Sequence, residues 1–225
     1  MWDSGWDSLF SRVEWGKYPG EELIRFVARK FYSAPDRRAV RLLEVGCGTG
    51  ANVWFMAREG FSVDGVDGSQ VALDSAANRL AGEGLHAGFV LGDAMRLPYE
   101  ADLFDAVIDV ECIYANSLAD SRKIIAECHR VLKPGGWIYS KTFATGMSGE
   151  ETAEALPGEP HTYVRMPDAP LHSDYGIIRL TSREEIPVLY GAFSELEVDY
   201  IERSQGNQKT LLREWIITGR KAVCS

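Results

Sequence analysis

The chain has 225 residues, 45% of them hydrophobic, which suits one α/β domain with an elaboration and a sizeable core. Its 24 basic residues are outnumbered by 33 acidic ones, giving a net charge of −9, and no Lys/Arg block occurs. The phosphate-neutralising footprint of a nucleic-acid partner is therefore missing. No apolar run approaches the roughly 18 residues of a membrane span. The start, Met-Trp-Asp-Ser-Gly-Trp-Asp, lacks the basic and apolar regions of a secretory signal, so the cytoplasm is the expected location. Cys47, Cys112, Cys128 and Cys224 show neither C-x-x-C spacing nor a His partner at finger distance, and they read as reduced thiols with no metal site.

In chain order, Trp2, Trp6 and Phe10 recur every four residues and Val13 follows at three, one face of a helix. That face either packs on the domain or closes over a ligand. Pro19, Glu21 and Glu22 open a second helix with Leu23, Phe26, Val27 and Phe31 inward, ended by Ala34-Pro35-Asp36. Leu42, Leu43 and Val45 form a short buried strand that runs into Gly46, Gly48 and Gly50, and residues 51–58 continue as a helix stopped by Gly60. A second strand ends at Asp67. Ser69 then caps a helix whose expected inner face is Val71, Leu73, Ala76, Ala77 and Leu80. Residues 88–92 and 104–110 read as strands buried on both faces. A helix bearing Ile124, Ile125, Cys128, Val131 and Leu132 is broken by Lys133-Pro134-Gly135-Gly136, and residues 137–143 give the fifth strand.

Across residues 144–175 the periodicity disappears, as in a functional or disordered loop. Order returns with a capping box at Thr181-x-x-Glu184 ahead of Ile186, Leu189, Tyr190 and Phe193. Leu196, Val198 and Tyr200 alternate with acids as a half-buried strand. A turn at Gly206-Asn207 sends residues 210–218 back as the last strand.

The glycine loop alone is ambiguous, because Gly46-x-Gly48-x-x-Ala51 also fits the dinucleotide fingerprint. Glu44 beside it would repel a pyrophosphate and favour a cationic group. S-adenosylmethionine carries a sulfonium and an ammonium and no phosphate. Asp67 stands where a carboxylate accepts from ribose hydroxyls, and Asp93 adds a third acidic strand end suited to an adenine amino group.

In the motifs Leu43-Glu44-Val45-Gly46-Cys47-Gly48-Thr49-Gly50, Gly65-Val66-Asp67-Gly68-Ser69, Gly92-Asp93-Ala94-Met95-x-Leu97-Pro98, Phe104-Asp105-Ala106-Val107 and Arg130-Val131-Leu132-Lys133-Pro134-Gly135-Gly136, the chain resembles the class I S-adenosylmethionine-dependent methyltransferases. The resemblance covers residues 41–143 and implies an α/β, doubly wound, seven-stranded and mostly parallel sheet with an antiparallel last strand, the Rossmann-like methyltransferase fold. It implies a single domain: a helical lid over residues 1–33, a cofactor core over 41–143, a substrate-facing insertion over 144–175, and a C-terminal helix and strands over 176–225. The implied cofactor set is Glu44, Gly46, Cys47, Gly48, Asn52, Asp67, Gly68, Asp93, Ala94, Met95 and Asp109. Asp105 reads as structural, and Cys47 also as a small filler.

Methyl transfer is an in-line displacement, so alignment is the main requirement, and a base is needed only where the acceptor must lose a proton. Glu111, His161 and His172 are the candidate bases, with Tyr114 or Tyr175 as orienting groups. His86 and His129 read as surface residues. The expected activity is methyl transfer from S-adenosylmethionine to a small acceptor, uncharged or weakly cationic. A NAD(P)-dependent oxidoreductase and a non-catalytic adenosyl-binding module are the alternatives. Oligomeric state is left open.

Overall fold

A computed structural model describes residues 5–13, 15–171 and 176–223; Trp2, His172, Tyr175 and Cys224 lie outside them. The first helix, α1 (Gly5–Arg12), carries Trp6 and Phe10 and turns Leu9 inward. The second, α2 (Glu21–Phe31), has the two acids at its positive end, Arg29 and Lys30 at its negative end, and the predicted stripe buried. It stops at Phe31, before the expected Ala34-Pro35 break.

Strand β1 (Arg41–Val45) alternates its buried residues, Leu42 and Glu44 toward one helix layer and Leu43 and Val45 toward the other. It leads through the glycine loop to α3 (Ala51–Arg58), then β2 (Ser62–Asp67) and α4 (Gln70–Gly82). Ser69 caps α4 as predicted, its hydroxyl accepting from the Ala72 N–H at 3.2 Å. The inner face of α4 is Ala72, Leu73, Ala76 and Leu80, whereas Val71 and Ala77 point outward. Leu73, Ala76 and Leu80 hold the predicted stripe, and Ala72 rather than Val71 or Ala77 completes it.

Next come β3 (Gly88–Leu91) and β4 (Phe104–Val110). Strand β4 is central and buried on both faces. β3 is only half-buried, a correction that follows from its place at the sheet edge. α5 (Leu118–Val131) is capped by Ser117 and followed directly by β5 (Leu132–Phe143). The Lys133-Pro134-Gly135-Gly136 stretch is absorbed as a bulge, Phe104 pairing with Leu132 and Ala106 with Trp137.

The aperiodic stretch is not a bare loop. It holds β6 (Glu154–Ala155) and β7 (Thr162–Arg165), which join β8 (Ile178–Arg179) in a small antiparallel sheet. Strands of two to four residues are too short to display a period of two, which is why the sequence reads as irregular. This sheet covers a third apolar cluster of Tyr114, Phe143, Met147, Met166, Ile178, Leu180 and Leu212. Gly149 belongs to that packing: a Cβ there would lie 2.4 Å from the Ala169 nitrogen.

One turn of helix, α6 (Ile186–Leu189), follows; the capping box expected at Thr181 and Glu184 does not form, and Glu185 stands at the N-cap with no side-chain cap hydrogen bond. The Ser182 N–H donates to Glu185 Oε2 at 2.8 Å while Oε1 of the same carboxylate accepts from fully buried Arg179, also at 2.8 Å. Strands β9 (Ser194–Gln205) and β10 (Thr210–Arg220) form the closing hairpin. The large sheet runs β3-β2-β1-β4-β5-β10-β9, parallel from β3 to β5, with β10 antiparallel to both neighbours. As an edge strand β9 leaves Tyr200 65% exposed, more than its alternation predicts. Helices α2, α3 and α4 pack on one face, α5 and α6 on the other, and every parallel strand points its carboxyl end at the same rim.

Candidate cofactor and acceptor site

That rim holds a cleft of about 800 Å³, mouth included, walled by Gly46, Asp67, Gly68, Asp93, Ala94, Met95, Glu111 and Cys112 and roofed by Trp6 and Phe10 of α1. A concave cleft with a mixed apolar and polar lining is the character of a small-ligand site. Six of the predicted cofactor residues thus meet in one wall.

Gly46 takes φ 65°, and a Cβ on it would lie 2.5 Å from the Cys112 side chain, so only glycine lets the loops after β1 and β4 meet. Gly48 passes under the Phe10 ring, and its N–H donates to Asp67 Oδ2 at 2.8 Å. Oδ1 of Asp67 accepts from the Ser69 N–H at the same distance. Burial raises the Asp67 pKa, against the pull of the Ser69 and Gly48 amides, and Asp7 of α1 pushes it further up. A carboxylate offers about four lone-pair sites, so acceptor capacity is left for a ligand hydroxyl beside the backbone amides. Asp93 is exposed and braces its turn by accepting from the Met95 N–H at 2.9 Å.

Glu44 works from beneath the loop rather than from the wall. It is 2% exposed; Oε1 accepts from Asn52 Nδ2 at 2.6 Å, and Oε2 is buried without a hydrogen-bond partner. Burial lifts its pKa to about 8, with Asn52 and the Val53 N–H pulling down and Asp67 and Asp109 pushing up. Asn52 therefore serves by holding Glu44. The Cys47 thiol is buried and raised by that burial, the filler role expected of it.

Asp109 is wholly buried and lies outside the wall. Its Oδ1 accepts from the Cys112 and Ile113 N–H groups at 3.0 and 3.2 Å, and Oδ2 from Ser140 Oγ at 2.5 Å. Burial raises it to about 6 against those three bonds. Its work is to shape the turn that presents Glu111. Asp105 is structural as predicted, accepting from the Arg41 N–H and from Lys133 Nζ, both at 2.8 Å.

Of the candidate bases among the described residues, the cleft gathers only Glu111. His161 sits at φ 51° in the turn before β7, its carbonyl accepting from the Leu180 N–H at 2.8 Å, and it is not in the cleft wall. His172 lies outside the described residues. His129 is half-buried against the Phe193 ring rather than on the surface, and His86 is exposed. Tyr114 is buried, edge-on to Trp6 at 6.5 Å and to Phe143 at 4.8 Å.

Three features had escaped the sequence. Asp7 accepts from the Ser69 hydroxyl, which ties α1 to the cap of α4 over the cleft. Lys141 of β5 stands behind Glu111 as its ion partner, and Glu214 of β10 pairs with the same Lys141. Their only signal was a charge interrupting an otherwise apolar strand.

Residues 42–136 match the methyltransferase domain family. The central part of this chain is thus similar to methyltransferase domains. Norajmaline N-methyltransferase of Rauvolfia serpentina is 32% identical over 55% of the chain and 42% of its own length. A ubiquinone biosynthesis O-methyltransferase of Caulobacter vibrioides is 37% identical over 45% of the chain and 40% of its own length. The chain thus spans about two fifths of the length of these relatives. A crystal structure of an S-adenosylmethionine-dependent methyltransferase from Methanosarcina mazei superposes with a TM-score of 0.68 at 21% identity, covering 82% of this chain and 93% of that one. The match extends the fold beyond the motif region, into the strands after β5. One relative is named for a nitrogen acceptor and the other for an oxygen acceptor, so likeness alone leaves the acceptor atom open.

Proposed function

We propose that this protein transfers a methyl group from S-adenosylmethionine to a small molecule held at the Glu111 end of the cleft. The observation that carries this reading is the buried, unpartnered Glu44 Oε2 beneath the glycine loop. An unpaired buried carboxylate oxygen is costly, and a cation above it offsets that cost, while a pyrophosphate would add to it. NAD is disfavoured for the same reason.

The cofactor supplies an electrophilic methyl carbon on a sulfonium. The chain's share is binding, alignment and exclusion of water. Asp67 and Asp93 hold the adenosyl half, and Glu44, whose raised pKa a cation above it brings back down, sets a negative potential under the cationic half. Trp6 and Phe10 roof the cleft, with α1 fastened through Asp7 and Ser69. Residues 1–33 are read as the lid, 41–143 as the cofactor core, 144–175 as the acceptor-facing insertion and 176–225 as the closing elements. The acidic balance, −9 overall, argues against nucleic acid as acceptor. Among the described residues no helix is long and apolar enough to cross a membrane. A cytoplasmic location agrees with free Cys47, Cys112 and Cys128.

Incubation with S-adenosylmethionine tritiated at the methyl group and a small-metabolite extract tests the activity. Label is expected in low-molecular-weight products, and label confined to nucleic acid or protein would contradict the reading.

A further inference from the structure

Three charged side chains at the carboxyl-end rim are left over by the cofactor chemistry. Lys141, its side chain 12% exposed, places Nζ 3.0 Å from Glu111 Oε1 and 2.6 Å from Glu214 Oε1, and the Glu214 side chain is only 2% exposed. Glu111, at 35%, is the member that reaches the cleft wall. It is held there at φ 58°, a left-handed conformation that costs a residue other than glycine. Its N–H donates to the Lys141 carbonyl at 2.8 Å, so backbone and side chain are both tied to Lys141.

The charges do not balance. Two carboxylates share one ammonium, so one negative charge has no cationic partner unless a proton joins the pair, whose carboxyl groups hydrogen-bond each other. The cluster registers this: burial raises Glu214, Lys141 pulls it down, and Glu111 pushes it up. Burial lowers Lys141, but the two carboxylates outweigh it and leave it raised. Trp6 lines the same cleft and, T-shaped against Tyr114, brings no opposing charge.

We infer that this cluster selects amine acceptors, with Glu111 accepting from the acceptor's N–H and with Lys141 and Glu214 as positioning residues that leave Glu111 one positive charge short. The inference rests on the methyltransferase reading above. As the neutral amine's lone pair forms the nitrogen–carbon bond, the carbon–sulfur bond breaks and its electron pair goes to sulfur. Positive charge thereby moves from sulfur to nitrogen, and the nitrogen's proton passes to Glu111. A fixed negative charge at the nitrogen end is stabilising where that charge develops. A carboxylate or phosphate acceptor is repelled by the same wall, and a neutral hydroxyl gains less from it.

The test uses protein saturated with S-adenosylhomocysteine and three probes that share one ring: phenethylamine, phenethyl alcohol and 3-phenylpropanoate, titrated by ligand-observed NMR. Wild type is expected to bind the amine about tenfold more tightly than the other two. Glu111→Gln and Glu214→Gln should each bring the amine to the level of the alcohol. In Glu214→Gln the affinity for S-adenosylhomocysteine and for the alcohol should stay within about twofold, which loss of packing alone would not produce. Equal binding of the three by wild type, binding of none, or an amine preference unchanged in Glu111→Gln overturns the inference. If Glu214→Gln does not melt cooperatively, Glu111→Gln decides alone. Wild type that binds S-adenosylhomocysteine but lacks the amine preference removes only this inference; wild type that fails to bind S-adenosylhomocysteine removes the methyltransferase reading.

Discussion

Glu44→Gln should make the protein more stable and a poorer binder at once. The carboxylate is 2% exposed, and its folded pKa rises from 4.5 to about 8, burial being the main cause. A raised acid costs nothing below its unfolded pKa, and its cost grows as pH climbs from there toward the folded pKa. At pH 7 the distance above the unfolded value is about 2.5 units, which at about 1.4 kcal/mol per unit gives an upper limit of about 3 kcal/mol. Gln keeps the acceptor for Asn52 and leaves the same orphan position that a protonated Glu leaves, so it recovers most of that cost. In urea unfolding without cofactor, the stability gap between Gln and Glu should widen by about 2 kcal/mol from pH 6 to pH 8. Affinity for S-adenosylhomocysteine, whose ammonium keeps a positive charge, should fall by about tenfold. A gap independent of pH, or a variant that binds as tightly as wild type, would refute the placement of an uncompensated carboxylate under the loop.

Other substitutions probe the wall and its supports. Asp67→Asn, which keeps one acceptor for the Gly48 and Ser69 amides and loses the other, should weaken S-adenosylhomocysteine about tenfold in calorimetry; unchanged affinity would take Asp67 out of the cofactor site. Glu185→Ala strands the fully buried Arg179 and should lower stability by about 3 kcal/mol, with a loss under about 1 kcal/mol in urea showing that the pair is not buried as described. Replacing residues 149–170 by a short Gly/Ser linker removes β6 and β7; it should leave cofactor affinity within about threefold and abolish methyl transfer, and turnover at the parental rate would end the acceptor-facing reading.

The proposed cofactor half of the candidate site was legible because its elements are local. A glycine loop after a short apolar strand, an acid at the end of the next strand and another at the end of the third are each encoded within a few neighbours. Gly46, Asp67, Gly68, Asp93, Ala94 and Met95 meet in the wall accordingly. The acceptor half depends on residues far apart in sequence. Glu111, Lys141 and Glu214 converge only because β5 lies between β4 and β10, a pairing that no spacing along the chain reveals. His161 and His172 drew attention as residue types without a neighbourhood, and the turn before β7 puts His161 to work through its backbone. The insertion escaped for a related reason: its order comes from covering Tyr114, Phe143 and Leu212, which belong to other segments.

The most direct test of the central claim is a calorimetric titration of the wild-type protein with S-adenosylhomocysteine and, separately, with NAD. One-to-one binding of S-adenosylhomocysteine at micromolar or lower concentration, with no heat from NAD, is the predicted result. Binding of NAD at micromolar concentration with S-adenosylhomocysteine ignored would contradict it.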